Sequence, residues 1–462
     1  MSLPRSLSGF AQLCGGRLSG ADAPYTEVVS DSRTLQAGQL FIALKGPNFN
    51  GRDFLAAALA AGAAGAVVDA AQPVSLPQIV VADTQAALTR AAGAWRAEFS
   101  GPLVGVAGSN GKTTAKEMTA RILGAAGACL ATRGNLNNHI GVPLTLLRLT
   151  PEHRFAVIEM GANHAGEVAA LVQVARPSIG LITNAGAEHL EGFGSLEGVA
   201  RAEGEMVAGL AASAIAVINA DDEFAALWRG LTRARVVTFG VHARADFAAT
   251  EVRTELEAAG FRTRFRLHTP AGATPIELAL GGAHNIANAL AAAAAAASAG
   301  ATLAQIATGL AGMRAVSGRL QFKRATSGAW LIDDTYNANP SSMRAAIEVL
   351  GALEGRRWLA LGDMAELGEF APEAHLEVGE FARAAGIERL YATGELMQRA
   401  VESFGAGAQW FSSTATLTQA LTRALETAGP QVRLLIKGSR FNHLERVVDA
   451  LTGTAAGTMG GH

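Results

Sequence analysis

The stretch VGVAGSNGKTT, residues 104–114, decides how the rest of the chain is interpreted. It has the composition of a phosphate-binding loop, yet it departs from the common pattern G-x-x-x-x-G-K-[ST]. That pattern requires a glycine at position 106, where this chain has Val106, and the turn carries Gly108 and Gly111 instead. An apolar run that ends near Ala107 and is followed by Gly-Lys-Thr-Thr predicts a strand, a shortened loop and a helix that bind a nucleotide.

Each residue type in this loop suits a phosphate. Gly108 and Gly111 have no side chains, so backbone N–H groups can approach phosphate oxygens. We expect Lys112 to reach the β and γ phosphates and the Thr113 hydroxyl to bind Mg²⁺. A plain glycine-rich turn is the alternative, and Gly-Lys-Thr-Thr after an apolar strand favours nucleotide binding over it. The predicted nucleotide-binding residues of the loop are Gly108, Ser109, Asn110, Gly111, Lys112, Thr113 and Thr114.

Length and composition narrow the class of protein. A chain of 462 residues indicates about three domains. The formal net charge of -2, with both signs mixed, predicts neither a nucleic-acid partner nor a membrane-surface partner. Two cysteines, Cys14 and Cys129, cannot build a disulfide framework, which indicates a reducing compartment. The first residues lack the apolar core of a signal peptide, and the alanine-rich runs 54–68 and 285–300 indicate packed helices rather than membrane spans. We therefore expect a cytoplasmic globular protein, without membrane insertion and monomeric.

Apolar runs alternate with helical patterns along the whole chain, which predicts an α/β protein with three domains. Residues 1–100 are predicted to form a smaller α/β N-terminal domain. Residues 101–314 are predicted to form a central P-loop-type ATPase domain with a parallel sheet. Residues 315–462 are predicted to form a doubly wound, Rossmann-like C-terminal domain, in which ligands gather at the carboxyl ends of the strands.

Two polar residues that follow apolar runs of the central region are candidate metal ligands. Glu159 ends the run FAVIE, and a carboxylate beside a phosphate loop suits Mg²⁺, which prefers oxygen ligands. Taken alone, Glu159 is equally well explained as a helix cap or a solvated loop residue. His189 lies among acidic residues in ITNAGAEHLEGFGS. A lone loop histidine is usually structural or exposed, but its place after an apolar run is compatible with a second metal site.

Asparagines and one arginine near the second domain boundary are further candidates. Asn285 and Asn288 lie three residues apart at a helix start and so share a face, although helix capping explains them equally well. Arg319 either reaches across a cleft to a phosphate or lies on the surface.

Two polar clusters follow apolar strands of the C-terminal region. Residues 333–340, DDTYNANP, are so densely polar that a site is a better explanation than a turn. Asn339 is also predicted to cap a helix that begins at Pro340. In the second cluster, KGSR, Lys437 and Arg440 suit the capture of a carboxylate or a phosphate.

Together, and in this order, these motifs resemble the Mur ligase family of bacterial cell-wall synthesis. GSNGKTT resembles the family signature G-[ST]-x-G-K-[ST]-[ST], which accounts for the shortened loop. DTYNANPSSM, LGDMAELG and KGSRFNHLE resemble segments of the member that adds D-alanyl-D-alanine. VSDSR and LFIALKGPNFNGRDF resemble the domain of that member that binds the uridine nucleotide. The resemblance spans nearly the whole chain.

The resemblance implies an ATP-dependent amide ligase of peptidoglycan precursor synthesis. ATP would phosphorylate the terminal carboxylate of a UDP-N-acetylmuramoyl-tripeptide, and the amine of D-alanyl-D-alanine would attack the acyl phosphate. Phosphoryl transfer of this kind needs positioning and charge neutralisation more than a protein nucleophile. ATP and Mg²⁺ are the expected cofactors, and the UDP-tripeptide and the dipeptide are the expected partners.

The resemblance also implies roles for individual residues. Catalytic roles are implied for Lys112, Glu159 and His189, and metal ligation for Thr113, Glu159 and His189. Contacts to ATP across the domain cleft are implied for Asn285, Asn288, Arg319 and Asp334. Contacts to the UDP-sugar are implied for Ser32, Arg33, Lys45, Asn137 and Asn138. Contacts around the incoming dipeptide are implied for Tyr336, Asn337, Asn339, Lys437 and Arg440.

Glu203 marks one departure from the family pattern. Many members carry a lysine here whose carbamate helps to bind the second metal, whereas this chain reads GVARAEGEM and has no lysine between Lys116 and Lys323. Our hypothesis is that the Glu203 carboxylate takes over the charge of the carbamate, directly or through water. A solvated helix glutamate is an equally good explanation, because glutamate is shorter than a carbamylated lysine.

Two other functions compete with this interpretation. The first is another amide ligase of the same superfamily, such as a folylpolyglutamate synthase-like enzyme. This alternative does not explain the uridine-domain motifs or DTYNANP. The second is a non-catalytic nucleotide-binding protein, which would not need to retain Lys112, Thr113, Glu159 and His189. The sequence leaves open whether the tripeptide ends in lysine or diaminopimelate, and the order of substrate binding.

Overall fold

In the computed structural model of the protein, residues 5–257 and 260–454 are described. Within these residues, the chain forms three sheets of five, nine and six strands that follow one another along the sequence. Each sheet is flanked by helices, so the prediction of a three-domain α/β protein is confirmed.

The first sheet has the order β1-β5-β4-β3-β2, and its strands are parallel except for β1. The apolar run 54–68 is helical only in its first part: the sequence predicts a helix over 52–61 and a strand at GAVVD, and the structure has α2 ending at Ala60, Gly62 with a φ of 79° and β4 beginning at Gly65. The strands are β1 (Arg17–Ser19), β2 (Val28–Val29), β3 (Leu40–Ile42), β4 (Gly65–Val68) and β5 (Gln78–Val80). The helices are α1 (Leu7–Cys14), α2 (Leu55–Ala60) and α3 (Thr84–Ala97), with a 3-10 turn at Gly51–Phe54.

The second sheet has the order β14-β13-β12-β11-β10-β9-β6-β8-β7. Its strands are β6 (Leu103–Ala107), β7 (Cys129–Ala131), β8 (Phe155–Glu159), β9 (Ile179–Ile182), β10 (Ile215–Asn219), β11 (Arg235–Gly240), β12 (Phe247–Glu257), β13 (Gly260–Thr269) and β14 (Gly272–Leu278). Its helices are α4 (Lys112–Gly124), α5 (Gly141–Leu146), α6 (Glu167–Ala175), α7 (Leu190–Phe193), α8 (Leu196–Ala208), α9 (Ala225–Leu231), α10 (Ala283–Ser298) and α11 (Leu303–Ala311). The expected parallel sheet is correct for β7 to β12, but β13 and β14 extend it as antiparallel strands.

The third sheet has the order β15-β16-β20-β17-β18-β19, parallel except for β15 at one edge. This is the doubly wound arrangement expected from the sequence. The strands are β15 (Gln321–Arg324), β16 (Trp330–Asp334), β17 (Arg356–Gly362), β18 (Arg389–Thr393), β19 (Ala408–Phe411) and β20 (Val432–Lys437). The helices are α12 (Pro340–Gly351), α13 (Ala371–Ala384), α14 (Met397–Phe404), α15 (Thr414–Ala428) and α16 (Glu445–Thr452), with 3-10 turns at Gly368–Phe370, Gly429–Gln431 and Arg440–Asn442.

The core of the central unit fixes the helix that follows the phosphate loop. Residues 289–296 of α10 are seven alanines and one leucine, and all eight are completely buried. Small side chains let helices approach closely, and Gly309 of α11 shows how closely: a β-carbon there would lie 2.5 Å from the Cα of Ile122 in α4. Helix α4 is therefore packed tightly against α11 at its carboxyl-terminal end.

None of the described helices is both long enough and apolar enough to cross a membrane.

Candidate active site

The phosphate loop joins β6 to α4 and has the shape that its two glycines permit. Gly108 has a φ of 120° and Gly111 a φ of 82°, conformations that side-chain-bearing residues rarely adopt. A β-carbon at Gly108 would lie 2.1 Å from the Thr183 hydroxyl oxygen, and one at Gly111 would lie 2.2 Å from Oδ1 of Asn288. The glycines are thus required both for the backbone conformation and for space.

Backbone groups of the loop are held by residues that follow β9. The Ser109 and Asn110 amides donate to the backbone oxygen of Asn184 and to its Oδ1, at 2.9 and 3.0 Å. Thr183 Oγ1 and Asn184 Nδ2 donate to the carbonyl of Asn110 at 2.7 and 2.9 Å. Because these loop amides already have protein acceptors, the amides of the first turn of α4 are the donors that a phosphate would use.

The Lys112 ammonium lies in an acidic environment at the start of α4. Its Nζ donates to the Ser109 carbonyl at 3.0 Å and forms an ion pair with Glu188 at 3.2 Å. Burial alone would lower the pKa of this ammonium. The carboxylates of Glu188, Glu203 and Glu159 act in the opposite direction and raise the pKa above its ordinary value. Lys112 is therefore charged and available to a triphosphate.

Glu159 ends β8 beside the loop and is almost completely buried. Its Oε1 accepts hydrogen bonds from Thr113 Oγ1 at 3.3 Å and from Asn137 Nδ2 at 3.0 Å. Its Oε2 is buried and accepts none from the described residues. A buried carboxylate oxygen without a partner is costly, and a bound Mg²⁺ would satisfy it.

The donor set fits that cation. Among the described residues, no three His, Cys, Asp or Glu side chains lie close enough together to enclose a metal. Mg²⁺ does not require such a cage, because it usually keeps several waters and takes one or two carboxylates together with substrate phosphates. The Thr113 hydroxyl and the Glu159 carboxylate supply oxygen ligands of this kind.

Glu203 of α8 lies directly behind the loop and is not solvated. Its side chain is buried, and its Oε2 accepts a hydrogen bond from the Gly108 amide at 2.6 Å. Burial raises the pKa of this carboxyl to about 7, although nearby Lys112 acts to lower it. The alternative of an exposed helix glutamate is therefore wrong.

Helix α10 and Arg319 reach the loop from opposite sides. Asn288 lies against Gly111, and Asn285 donates from Nδ2 to the carbonyl of Gly281 at 2.8 Å. Arg319 donates to Thr113 Oγ1 at 3.0 Å. Its guanidinium carbon lies 4.2 Å from the centre of the Tyr336 ring, and its buried Nε has no hydrogen-bond partner within residues 5–257 and 260–454. Arg319 is thus aimed into the site and is not a simple surface residue.

The C-terminal sheet contributes a buried ion pair and a helix start. Asp334 and Lys437 are neighbours in β16 and β20, and their side chains pair at 2.6 Å. The capping of α12 by Asn339 is confirmed. In addition, Asn339 Nδ2 donates to Asn110 Oδ1 at 2.9 Å, and Asn110 Nδ2 donates to Ser341 Oγ at 2.9 Å. The phosphate loop therefore contacts the C-terminal unit directly.

One cavity of about 720 Å³ brings most of the predicted residues together. The predicted residues that line it are Ser109, Asn110, Gly111, Lys112, Thr113, Thr114, Asn137, Asn138, Glu159, His189, Asn285, Asn288, Arg319, Asp334, Tyr336, Asn337, Asn339 and Lys437. Those that do not are Gly108 and Glu203, behind the loop, Ser32, Arg33 and Lys45, in the N-terminal unit, and Arg440, which is exposed.

Two of the predicted substrate-binding residues also have local partners. Arg33 forms an ion pair with Asp31 at 2.7 Å. Asn138 accepts hydrogen bonds at Oδ1 from the amides of Ile140 and Gly141, at 3.1 and 2.9 Å, in the turn directly before α5.

Sequence reasoning missed several residues of the cavity wall. Asn184 and Glu188 lie in the stretch that contains His189, directly after β9, and the strand-end rule applied to every polar residue there would have found them. His284 also lines the cavity, and burial lowers its pKa although Asp334 acts to raise it. Glu366 pairs with His189, but the two are far apart in the chain, so no sequence signal joins them.

Family models match three consecutive parts of the chain. Residues 24–96 match the model described as Mur ligase family, catalytic domain. Residues 106–296 match the Mur ligase middle domain, and residues 318–440 match the Mur ligase, glutamate ligase domain.

Individual proteins are similar over nearly the full length. The chain is 44% identical over 448 residues to the UDP-N-acetylmuramoyl-tripeptide–D-alanyl-D-alanine ligase of Escherichia coli (strain K12), covering 96% of this chain and 98% of that one. A crystal structure of MurF from Acinetobacter baumannii superposes with a TM-score of 0.90 at 34% identity, covering 98% of this chain and all of the other. The MurF ligase from Thermotoga maritima in complex with ADP superposes with a TM-score of 0.78 at 26% identity, covering 93% and 97%.

Proposed function

The chain belongs to the Mur ligase family, and from this premise we propose that it joins D-alanyl-D-alanine to a UDP-N-acetylmuramoyl-tripeptide at the expense of ATP. The proposal places the chain in peptidoglycan precursor synthesis. Its main support is that the relatives that match over the full length carry this activity in their names. The observation that carries it in the structure is the single cavity in which Lys112, Glu159 and residues of the C-terminal unit face one another.

In the first step, a carboxylate oxygen of the tripeptide attacks the γ-phosphorus of ATP, and the bond to the β-phosphate oxygen breaks. The products are an acyl phosphate and ADP. Lys112 and the first-turn amides of α4 hold the phosphates and neutralise the charge that shifts onto the leaving group. Arg319 supplies a second cation on the side of the C-terminal unit, beside Thr113.

In the second step, the amine of D-alanyl-D-alanine attacks the acyl carbon. The tetrahedral intermediate collapses with departure of inorganic phosphate, which carries away the proton lost by the nitrogen and leaves the new amide. We propose that Tyr336, Asn337, Asn339, Lys437 and Arg440 surround the incoming dipeptide. Of these, Lys437 is paired with Asp334, so its contribution in the unliganded protein is to orient that carboxylate.

We propose Mg²⁺ as the cofactor, with Thr113 and Glu159 as ligands and with His189 and Glu203 serving a second ion. When bound, the cation neutralises charge on the phosphates and on the acyl oxygens. The unpartnered Oε2 of Glu159 supports the first position. For Glu203, the hydrogen bond to the Gly108 amide favours an indirect role, in which its charge acts through the loop.

The remaining assignments are also proposals. Domain boundaries at 100/101 and 314/315 agree with the gaps between the three sheets, although residues 1–4 and 455–462 lie outside the described part of the chain. Contacts to the UDP-sugar are proposed for Ser32, Arg33, Lys45, Asn137 and Asn138. A cytoplasmic location is proposed, supported by two cysteines that are both free thiols, and a monomer is proposed as the oligomeric state.

An assay of ADP release tests the function. Wild-type protein should release ADP only when ATP, the UDP-tripeptide and D-alanyl-D-alanine are all present. Lys112→Met should reduce kcat/KM by about 100-fold or more, the typical effect of removing a group that stabilises transition-state charge. ADP release with a folate and glutamate instead would establish the alternative ligase. Nucleotide binding without turnover on any muramoyl substrate would establish a non-catalytic protein.

The same assay, run with tripeptides that end in lysine or in diaminopimelate, identifies the substrate. A difference in kcat/KM between the two substrates assigns the third residue of the tripeptide.

A further inference from the structure

His189 and Glu366 meet across the boundary between the central and C-terminal units. His189 follows β9 of the central sheet, and Glu366 follows β17 of the C-terminal sheet. Nδ1 of His189 pairs with Oε2 of Glu366. Both residues have a positive φ, of 49° and 61°, although neither is a glycine. Such backbone conformations persist only where the surroundings impose them, and they concentrate at functional sites.

The contact includes backbone and apolar groups as well. The Glu191 amide donates to the backbone carbonyl of Glu366 at 3.3 Å. Leu190 and Leu367, the residues that follow His189 and Glu366, are both buried in one apolar cluster. The pairing of the two side chains is therefore supported by packing on both sides of the boundary.

The loop that carries Glu366 is fixed from within the C-terminal unit. The Met364 amide donates to Nε2 of the fully buried His375 at 3.0 Å, and Nδ1 of His375 donates to the carbonyl of Ala371 at 2.6 Å. The Ala365 amide donates to Ser439 Oγ at 2.9 Å. These bonds hold the backbone of the loop from which the Glu366 side chain, which is 55% exposed, reaches His189.

The pairing determines which nitrogen of His189 is available. When Nδ1–H donates to the carboxylate, the lone pair of Nε2 is left for a cation. Histidines that bind metals usually donate their other N–H to a carboxylate or a carbonyl, which fixes the ring and makes it a better ligand. His189 lines the same cavity as Lys112 and Glu159.

We propose that Glu366 is a positioning residue that orients His189 toward a divalent cation bound with the nucleotide, so that the cation site is complete only when the C-terminal unit lies against the central unit. The inference rests on the proposed function, because the cation is the one that the nucleotide brings. It assigns to the LGDMAELG segment a role in coupling domain closure to catalysis.

The experiment compares Glu366→Ala, Glu366→Gln and the control Glu369→Ala, which changes an exposed glutamate of the same loop. Mn²⁺ is the probe, and its binding in the presence of a non-hydrolysable ATP analogue is measured by electron paramagnetic resonance. Glu366→Ala should weaken Mn²⁺ binding by about 10-fold or more. Glu366→Gln keeps a hydrogen-bond acceptor but loses the charge, so its Mn²⁺ affinity should lie between those of Glu366→Ala and wild type. The Mn²⁺ affinity of Glu369→Ala should remain within about twofold of the wild-type affinity.

Steady-state kinetics supply the second readout. The Mg²⁺ concentration for half-maximal rate should rise in Glu366→Ala, while the KM for ATP at saturating Mg²⁺ stays close to that of wild type. A thermal melt of each variant identifies loss of folding, and Glu366→Gln, with nearly the same shape as glutamate, keeps the comparison usable if the alanine variant unfolds.

Mn²⁺ affinity in Glu366→Ala and Glu366→Gln equal to wild type would overturn the inference. This outcome is distinct from failure of the proposed function, which would appear as wild-type protein that binds Mn²⁺ and the analogue but releases no ADP with the muramoyl substrates.

Discussion

At the scale of single residues, the shortened phosphate loop depends on positions where a side chain is excluded. Gly111 combines a φ of 82° with a β-carbon position 2.2 Å from Asn288 Oδ1. At Gly124, near the end of α4, a β-carbon would have no heavy atom of the described residues within 4 Å outside its own stretch of helix. Two glycines of one segment therefore differ completely in what they tolerate.

Gly111→Ala should reduce the affinity for an ATP analogue by about 10-fold or more, because left-handed backbone costs about 1–2 kcal/mol in a residue with a β-carbon and the clash with Asn288 adds to it. Gly124→Ala should leave the affinity unchanged and leave Tm unchanged or slightly higher, since alanine favours helix. Isothermal titration calorimetry measures the affinities. Equal affinities in the two variants would contradict the role of Gly111.

Glu203 is the second residue with a specific prediction. By our hypothesis it takes the place of a carbamate-forming lysine, and CO₂ cannot modify a glutamate, so turnover should not respond to added bicarbonate. Glu203→Ala removes a buried charge behind the loop and should lower activity at limiting Mg²⁺ by about 10-fold. Glu197→Ala, at an exposed position of the same helix, is the control. Wild-type kinetics in Glu203→Ala would refute the hypothesis.

At the scale of secondary-structure elements, the site lies where strands end. Strands β6, β8 and β9 are neighbours in one sheet and run parallel, so their carboxyl ends place Ser109, Glu159 and Asn184 side by side. In the C-terminal sheet, β16 and β20 place Asp334 opposite Lys437 in the same way. Each of these site residues is therefore positioned by the strand that it follows.

The loop between β17 and α13 depends on His375 instead. Burial lowers the pKa of His375, although its bond to the Ala371 carbonyl and the nearby Asp363 act to raise it. The folded protein thus keeps this imidazole neutral at pH values where the unfolded chain, with a pKa near 6.5, takes up a proton. The stability that His375 contributes is present above pH 6.5 and is lost as pH falls through the lowered pKa.

His375→Gln should lower the free energy of unfolding by about 1–3 kcal/mol at pH 7.5, because buried groups lose their hydrogen-bond partner. The difference in Tm between wild type and variant should be smaller at pH 5.5, because wild type there loses the stability that neutral His375 contributes. His242→Gln, at an exposed position, should show no such change. A difference in Tm that stays constant or increases toward low pH would contradict the inference that the folded protein keeps the His375 imidazole neutral.

At the scale of the whole molecule, the three units are joined differently. The N-terminal unit is bonded to the central unit through α3: Trp95 donates to the carbonyl of Leu149 at 3.0 Å, and Arg96 to that of Ala175 at 2.7 Å. The C-terminal unit contacts the central unit through Asn110 and His189, residues of the site itself. Its position is therefore the one that ligands can influence.

We expect the C-terminal unit to close over the substrates, as hinge motions do in many enzymes of several domains. Small-angle X-ray scattering should show a smaller radius of gyration when nucleotide and UDP-tripeptide are added together than in the free protein. Each ligand alone provides the comparison. Identical scattering curves in all four conditions would count against closure.

Much of this protein could be predicted from local sequence. Apolar runs followed by polar residues located the strands β6, β8, β9, β16 and β20 and the side chains at their ends, because a parallel sheet brings those ends to one edge. Turn chemistry identified Gly108 and Gly111, and the cap at Asn339 followed from its place before Pro340. These features depend on neighbours in the chain, and the chain itself specifies them.

Only the tertiary structure decided which side chains pair. The bond of buried Glu203 to the Gly108 amide, the ion pair of Asp334 with Lys437 and the contact of His189 with Glu366 join segments that are distant in sequence. Such contacts depend on the packing of helices and sheets in three dimensions, which periodicity and residue type along one chain do not encode.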